Sequence, residues 1–156
     1  VSTAMIFIIL LGSEFFNAFI ALTQITNVLS SWIFTQEYSP YFILILILIL
    51  YLLLGCLMDS LAMIMLTIPI FFPVLIQLDF GMTTEETAIW FGILTLVVVE
   101  IGLITPPIGL NIFIINKCAK EIPILETFKG VLPFVVSDIS RVALLVTFPV
   151  ITVFLI

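Results

Sequence analysis

Glu100-Ile-Gly-Leu-Ile-Thr-Pro-Pro-Ile-Gly-Leu-Asn111 sits inside an apolar stretch that runs over residues 88–116. A continuous helix over that stretch would be about 43 Å long at 1.5 Å per residue, more than one perpendicular crossing of a ~30 Å hydrocarbon core needs. The tandem prolines interrupt it. Neither Pro106 nor Pro107 can donate to the carbonyl four residues back, so the Gly102 and Leu103 oxygens are expected to lose their helical partners. Thr105 and Pro106 each precede a proline and are pushed out of the α region. Pro107 can open a second half-helix at its first position, where the missing N–H costs nothing. The stretch therefore reads as one crossing made of two half-helices, with free backbone oxygens and the Thr105 hydroxyl at the junction.

The rest of the chain has the composition of a protein whose solvent is lipid. Of 156 residues, 63% are hydrophobic and 9% charged, and the mean hydropathy is +1.46. A water-soluble domain carries about 25% charged residues, so this chain lacks the polar atoms to cover a folded surface. The net charge is -6, and all four basic residues lie at or after Lys117. With no basic face to neutralise phosphates, nucleic-acid binding is unsupported. Without histidine, and with Cys56 and Cys118 far apart in sequence, zinc chemistry is unsupported, and each cysteine reads as a small apolar filler. The chain opens on Val-Ser-Thr within an apolar run, without a basic signal-peptide region, and is expected to be the C-terminal piece of a longer membrane protein.

Four stretches are long enough to cross a bilayer or to double back within it: residues 1–33, 41–78, 88–116 and 130–156. They predict an all-α integral membrane protein in a single transmembrane domain. Three of the four basic residues fall in the break at 117–129, which places that loop on the cytoplasmic side and the acidic 79–87 loop outside. Residues 41–78 hold two helical arms around Leu54-Gly-Cys-Leu-Met-Asp-Ser60. A cytoplasmic turn would be expected to carry Lys or Arg, and this one carries neither. The stretch is therefore read as a re-entrant helical hairpin, entered and left on the outside, with its tip at membrane depth. Such backbone is tolerated only where protein buries it or a wet cavity meets it.

Unpaired carbonyls in hydrocarbon cost several kcal/mol each, and a small hard cation satisfies them with oxygen ligation. The C-terminus of the first half-helix carries partial negative charge and suits that cation. The N-terminus of the second suits an anion. Broken helices that present such ends near the midplane recur in secondary transporters, so the parts point to ion-coupled transport of an anionic solute.

The same residues resemble a known family. Leu54-Gly-Cys-Leu-Met-Asp-Ser60, Thr67-Ile-Pro-Ile-Phe-Phe-Pro73, Gly102-Leu-Ile-Thr-Pro-Pro-Ile-Gly-Leu-Asn111 and Leu132-Pro-Phe134 are similar to the C-terminal half of the large permease subunit of tripartite ATP-independent periplasmic (TRAP) transporters. The resemblance implies one inverted repeat of an elevator-type transporter in the inner membrane. It further implies sodium-driven import of C4-dicarboxylates, sialic acid or other organic acids. A small membrane subunit and an extracytoplasmic solute-binding protein are the implied partners, and sodium is the coupling ion with no other cofactor. Sodium ligation carries over to Gly55, Asp59 and Ser60 at the hairpin tip and to Gly102, Thr105, Pro106 and Gly109 at the break. Asn17, in Phe16-Asn-Ala18, replaces a hydroxyl of the family's Phe-Ser-Trp run, and Asn17 and Asn111 are the substrate-binding candidates. The chain departs from the family in a longer acidic loop at 79–87 and in lacking the first inverted repeat.

Plainer readings stand beside these. Asp59 also suits a helix cap facing water, and the Thr105-Pro-Pro107 kink also suits filling by side chains or water. Asp138 and Arg141, three apart on one helical face, are expected to pair with each other. Glu14 is expected to face protein, and Glu100 to be hydrogen-bonded inside the bundle. As rival functions, a structural or channel-forming membrane subunit remains open. An intramembrane aspartyl protease built on Asp59 and Asp138 needs a close carboxylate pair, which Arg141 beside Asp138 opposes; the chain is read as not an enzyme.

Overall fold

A computed structural model describes residues 2–118 and 122–154 of the protein. Every regular element among them is helical: α1 (Ser2–Thr23), α2 (Ile25–Thr35), α3 (Pro40–Gly55), α4 (Ser60–Leu75), α5 (Thr84–Ile104), α6 (Leu110–Cys118), α7 (Ile124–Thr147) and α8 (Val150–Val153). Thr3–Thr23, Thr84–Ile104 and Ile124–Thr147 are long and apolar enough to cross a membrane. Helices pair their backbone groups within one segment, which is what a solvent without hydrogen bonds demands.

The helix starts follow from local chemistry. Ser39 caps α3 by accepting from the Phe42 N–H, and Pro40 occupies the first turn, where its lack of a donor is harmless. Thr83 and Glu86 form a reciprocal capping box at the head of α5, which starts this helix at Thr84 rather than at residue 88.

Two of the expected spans prove to be divided. The single helix read over 1–33 breaks at Gln24, whose backbone is left-handed at φ 56, and the turn lets both α1 and α2 lie against α4. The terminal helix read over 130–156 begins earlier, at Ile124, and stops at Thr147. Pro149 follows, and a residue preceding proline is driven from the α region; Phe148 accordingly sits at φ -124, ψ 74.

Residues 41–78 fold as a helical hairpin, α3 and α4, joined by residues 56–59. Across it the Tyr51 and Thr67 hydroxyls lie 2.8 Å apart, and Thr67 Oγ1 is 2.7 Å from the Met63 carbonyl oxygen. Thr67 has one proton, so donation to Met63 leaves Tyr51 as the donor to Thr67. Beside the hairpin, α5 runs parallel to α3. The Tyr41 ring packs near Trp90 at one end, and Gly55 meets Gly102 at the other. Leu44, Tyr51, Trp90, Leu94 and Val99 are buried between these elements. The Trp90 Nε1–H donates to the Leu145 carbonyl at 2.8 Å, which fastens α7 to α5 and satisfies the indole's one polar atom.

Candidate functional site

The hairpin tip and the helix break meet through two glycines. A Cβ on Gly102 would lie 2.8 Å from the Cα of Gly55 and 2.9 Å from the Leu52 carbonyl oxygen, while one on Gly55 would lie 3.1 Å from the Val99 oxygen. Gly102 must therefore lack a side chain for α3 and α5 to approach this closely, and at Gly55 a side chain would be tight against the α5 backbone. From the tip, the buried Cys56 thiol donates to the Pro106 carbonyl at 3.6 Å. Cys56 is buried, as a small filler would be, and its thiol also meets one oxygen of the break. No sequence signal names such a pairing, because it exists only once the two elements are side by side.

The break itself differs in detail from the expectation. Gly102 keeps a partner, since the Thr105 N–H donates to its carbonyl at 3.1 Å in a tightened last turn. Leu103 does not: Pro107 has no N–H to offer, and among the described residues no turn or side-chain hydrogen bond uses that oxygen. Thr105 is extended at φ -102, ψ 142, and its hydroxyl donates to the Ile101 carbonyl, with no donor to Oγ1 among the described residues. Pro107 does not open the second half-helix. That helix starts at Leu110, because Gly109 first turns the chain at φ +61, and the Gly109 carbonyl then accepts from the Ile112 N–H at 2.9 Å. A side chain at Gly109 would come within 3.2 Å of the Phe128 ring and 3.3 Å of the Thr105 oxygen, so the turn is also the place where α7 covers the break.

Asp59 is exposed and acts as the cap of α4, accepting from the Leu61 N–H at 3.1 Å and the Ala62 N–H at 3.4 Å. Ser60 follows it, half-buried, in the first turn. The structure thus gathers Gly55, Gly102, Thr105, Pro106 and Gly109, with Asp59 and Ser60 on the connecting tip. No group of three or more carboxylate, thiol or imidazole side chains that could hold a metal occurs among the described residues. A cation here would be met by backbone and hydroxyl oxygens, ligands that suit hard cations.

The two asparagines lie apart from each other. Asn111 is exposed in the first turn of α6. Asn17 Nδ2 donates to the Met65 carbonyl on α4 at 3.5 Å, and the reason is local: Pro69 has no N–H to give to Met65, so α1 supplies the donor. This fixes the amide orientation and leaves Asn17 Oδ1 buried without a partner among the described residues. It lines a cavity of about 300 Å³ with Gln24, Asn27, Pro69 and Pro73, on α1, α2 and α4 rather than at the break. Glu14 and Glu100 are both exposed, which corrects the expectation that Glu100 is bonded inside the bundle.

The family profile of the tripartite ATP-independent periplasmic transporter, DctM component, matches residues 1–151. The chain belongs to this family. The DctM match is supported by relatives along nearly the whole chain. The sialic acid TRAP transporter large permease protein SiaM of Vibrio cholerae is 29% identical over 99% of this chain and 34% of its own length. The C4-dicarboxylate large permease DctM of Pseudomonas aeruginosa is 31% identical over 85% of this chain and 29% of its own. The ectoine large permease TeaC of Halomonas elongata is 30% identical over 98% and 34%. The chain thus spans about a third of the length of the curated relatives it matches. These relatives are permease subunits rather than enzymes. With three apolar helices of spanning length, the DctM assignment places the chain in the inner membrane.

Proposed function

We propose that the chain forms part of a sodium-coupled secondary transporter that imports organic acids of the C4-dicarboxylate or sialic-acid kind. An extracytoplasmic binding protein delivers the solute, and a small membrane subunit completes the transporter. The observation that carries this reading is the Gly55–Gly102 contact, which sets the hairpin tip against a helix break whose Leu103 carbonyl has no donor among the described residues.

Sodium is held there by oxygens from Gly55 and Ser60 on the tip and from Gly102, Thr105, Pro106 and Gly109 on the break. The negative end of the α5 dipole points at the site. Asp59 adds its charge from the tip while capping α4. The solute's carboxylate meets the N-terminus of α6 beside Asn111, with Asn17 as a second candidate contact on α1. The hairpin is re-entrant: each arm has 16 residues, about 24 Å of helix, short of a ~30 Å core. Its Tyr41 end lies beside the early part of α5, on the side of the acidic 79–87 loop, and with the positive-inside rule setting that loop outside both arms enter from the external face. Transport is an elevator motion that carries tip and break together.

The test is uptake by the complete transporter in sealed vesicles with its binding protein present. An inward sodium gradient drives organic-acid accumulation and a potassium gradient of the same size does not. Equal uptake under the two gradients overturns the sodium assignment, and no accumulation under either leaves a structural or channel-forming subunit in its place.

A further inference from the structure

The open side of α7 is unlike that of the other long helices. One face of α7 packs inward, through Val135, Val142, Leu145 and Val146. A second, with Leu125, Leu132, Val136 and Ile139, is exposed and apolar, as a lipid-facing side should be. Between them runs a third line, Glu126, Gly130, Pro133, Ser137, Ser140 and Leu144, in which successive members stand alternately four and three residues apart. All six are exposed, and Arg141 is exposed next to it. The Arg141 guanidinium pairs with Asp138 at 2.9 Å, yet the two side chains remain 51% and 28% accessible. This pair sits past the middle of a helix of 24 residues, away from either water-facing end. By contrast the open side of α1 presents Phe7, Ile8, Leu11, Phe15 and Leu22, with Glu14 its one exposed charge.

A charged pair and two hydroxyls facing lipid at that depth are costly. Small residues recurring at three-four spacing are how membrane helices come close enough for backbone contact and hydrogen bonds. We infer that the Glu126–Leu144 line of α7 is a docking seam for a transmembrane helix of the large permease itself, from the portion that the relatives have and this chain does not span. That helix carries small residues opposite Gly130, Ser137 and Ser140 and an acceptor, carboxylate or amide, for the guanidinium N–H groups of Arg141 that Asp138 leaves free. The matched relatives are about three times as long as this chain, so spans to fill the seam exist in proteins of this kind. The inference rests on the membrane placement of α7 and not on the sodium site.

Nitroxide labels at Ser137→Cys and, as a control, Leu132→Cys read the surroundings directly. The experiment uses the complete transporter in lipid discs with exposed cysteines, Cys118 included, replaced by serine. Collision with oxygen reports lipid, and collision with a water-soluble nickel chelate reports water. The seam predicts that position 137 is shielded from both, with oxygen collisions several-fold below those at 132. High oxygen access at 137 means lipid covers the face, and high nickel access there means a water-filled path; either overturns the seam. Nickel access at 132 as well overturns the membrane placement itself. Should a label at 137 prevent assembly, Ser140→Ala and Ser140→Leu separate the cases: a packed seam keeps uptake in the first and loses it in the second, whereas a lipid-facing site keeps both.

Discussion

Gly55 and Gly102 are in backbone contact: a methyl group on Gly102 would stand 2.8 Å from the Gly55 Cα. That approach sets the loop of the hairpin against the break, where the Cys56 thiol reaches the Pro106 carbonyl. Gly102→Ala is expected to force α3 and α5 apart at a cost of about 1–3 kcal/mol, the usual range for overpacking. Gly55→Ala, whose nearest contact would be 3.1 Å, costs less. Gly92→Ala on the same helix α5 meets nothing within 4 Å and is neutral or stabilising. Thermal denaturation of the purified transporter checks the order; a Gly102 variant as stable as the Gly92 variant would contradict it.

Thr105 gives its proton to the Ile101 carbonyl, and in the proposed site its lone pairs meet the cation. Thr105→Val retains the shape and removes the oxygen. The expected result is a weaker sodium response of uptake, by about tenfold or ~1.4 kcal/mol, together with a lower melting temperature, because the Ile101 carbonyl loses its hydroxyl donor. Thr105→Ser restores most of the response. Half-saturating sodium, measured at fixed solute, is the readout.

Asp59 caps α4 and carries a second role in the proposed cation site, and substitution separates the two. Asparagine caps a helix about as well as aspartate, whereas alanine costs about 1 kcal/mol. Asp59→Asn is therefore expected to leave thermal stability intact and to weaken the sodium response, while Asp59→Ala lowers both. If Asp59→Asn alters neither, the carboxylate acts as a cap alone.

Trp90 holds α7 in place through its indole N–H. Trp90→Phe leaves the Leu145 carbonyl without that donor, and the expected loss is about 1–3 kcal/mol. It is read as a lower melting temperature with an unaltered sodium dependence at permissive temperature.

The sequence made the interruptions at Gly55–Ser60 and Thr105–Pro107 visible because proline and glycine act on their own backbone. The same local logic exposes Pro69, which frees the Met65 carbonyl, but not that Asn17 of another helix supplies the donor. Cys56 against Pro106 is hidden for the same reason: both partners are ordinary in sequence, and only packing pairs them. Gln24 is a harder case, since glutamine has no special affinity for a left-handed backbone. The break there answers to the packing of α1 and α2 on α4, and no neighbouring residue announces it. At Gly109 the proline rule misplaced the start of α6, because the glycine turn lies after the prolines.

The central claim is that tip and break together form a cation site. The most direct test is the melting temperature of the complete transporter titrated with sodium chloride or potassium chloride at constant ionic strength. Ligand linkage predicts a rise that continues with the logarithm of sodium concentration, absent with potassium and lost in Thr105→Val. An equal response to both salts, or a sodium response that survives Thr105→Val undiminished, would contradict it.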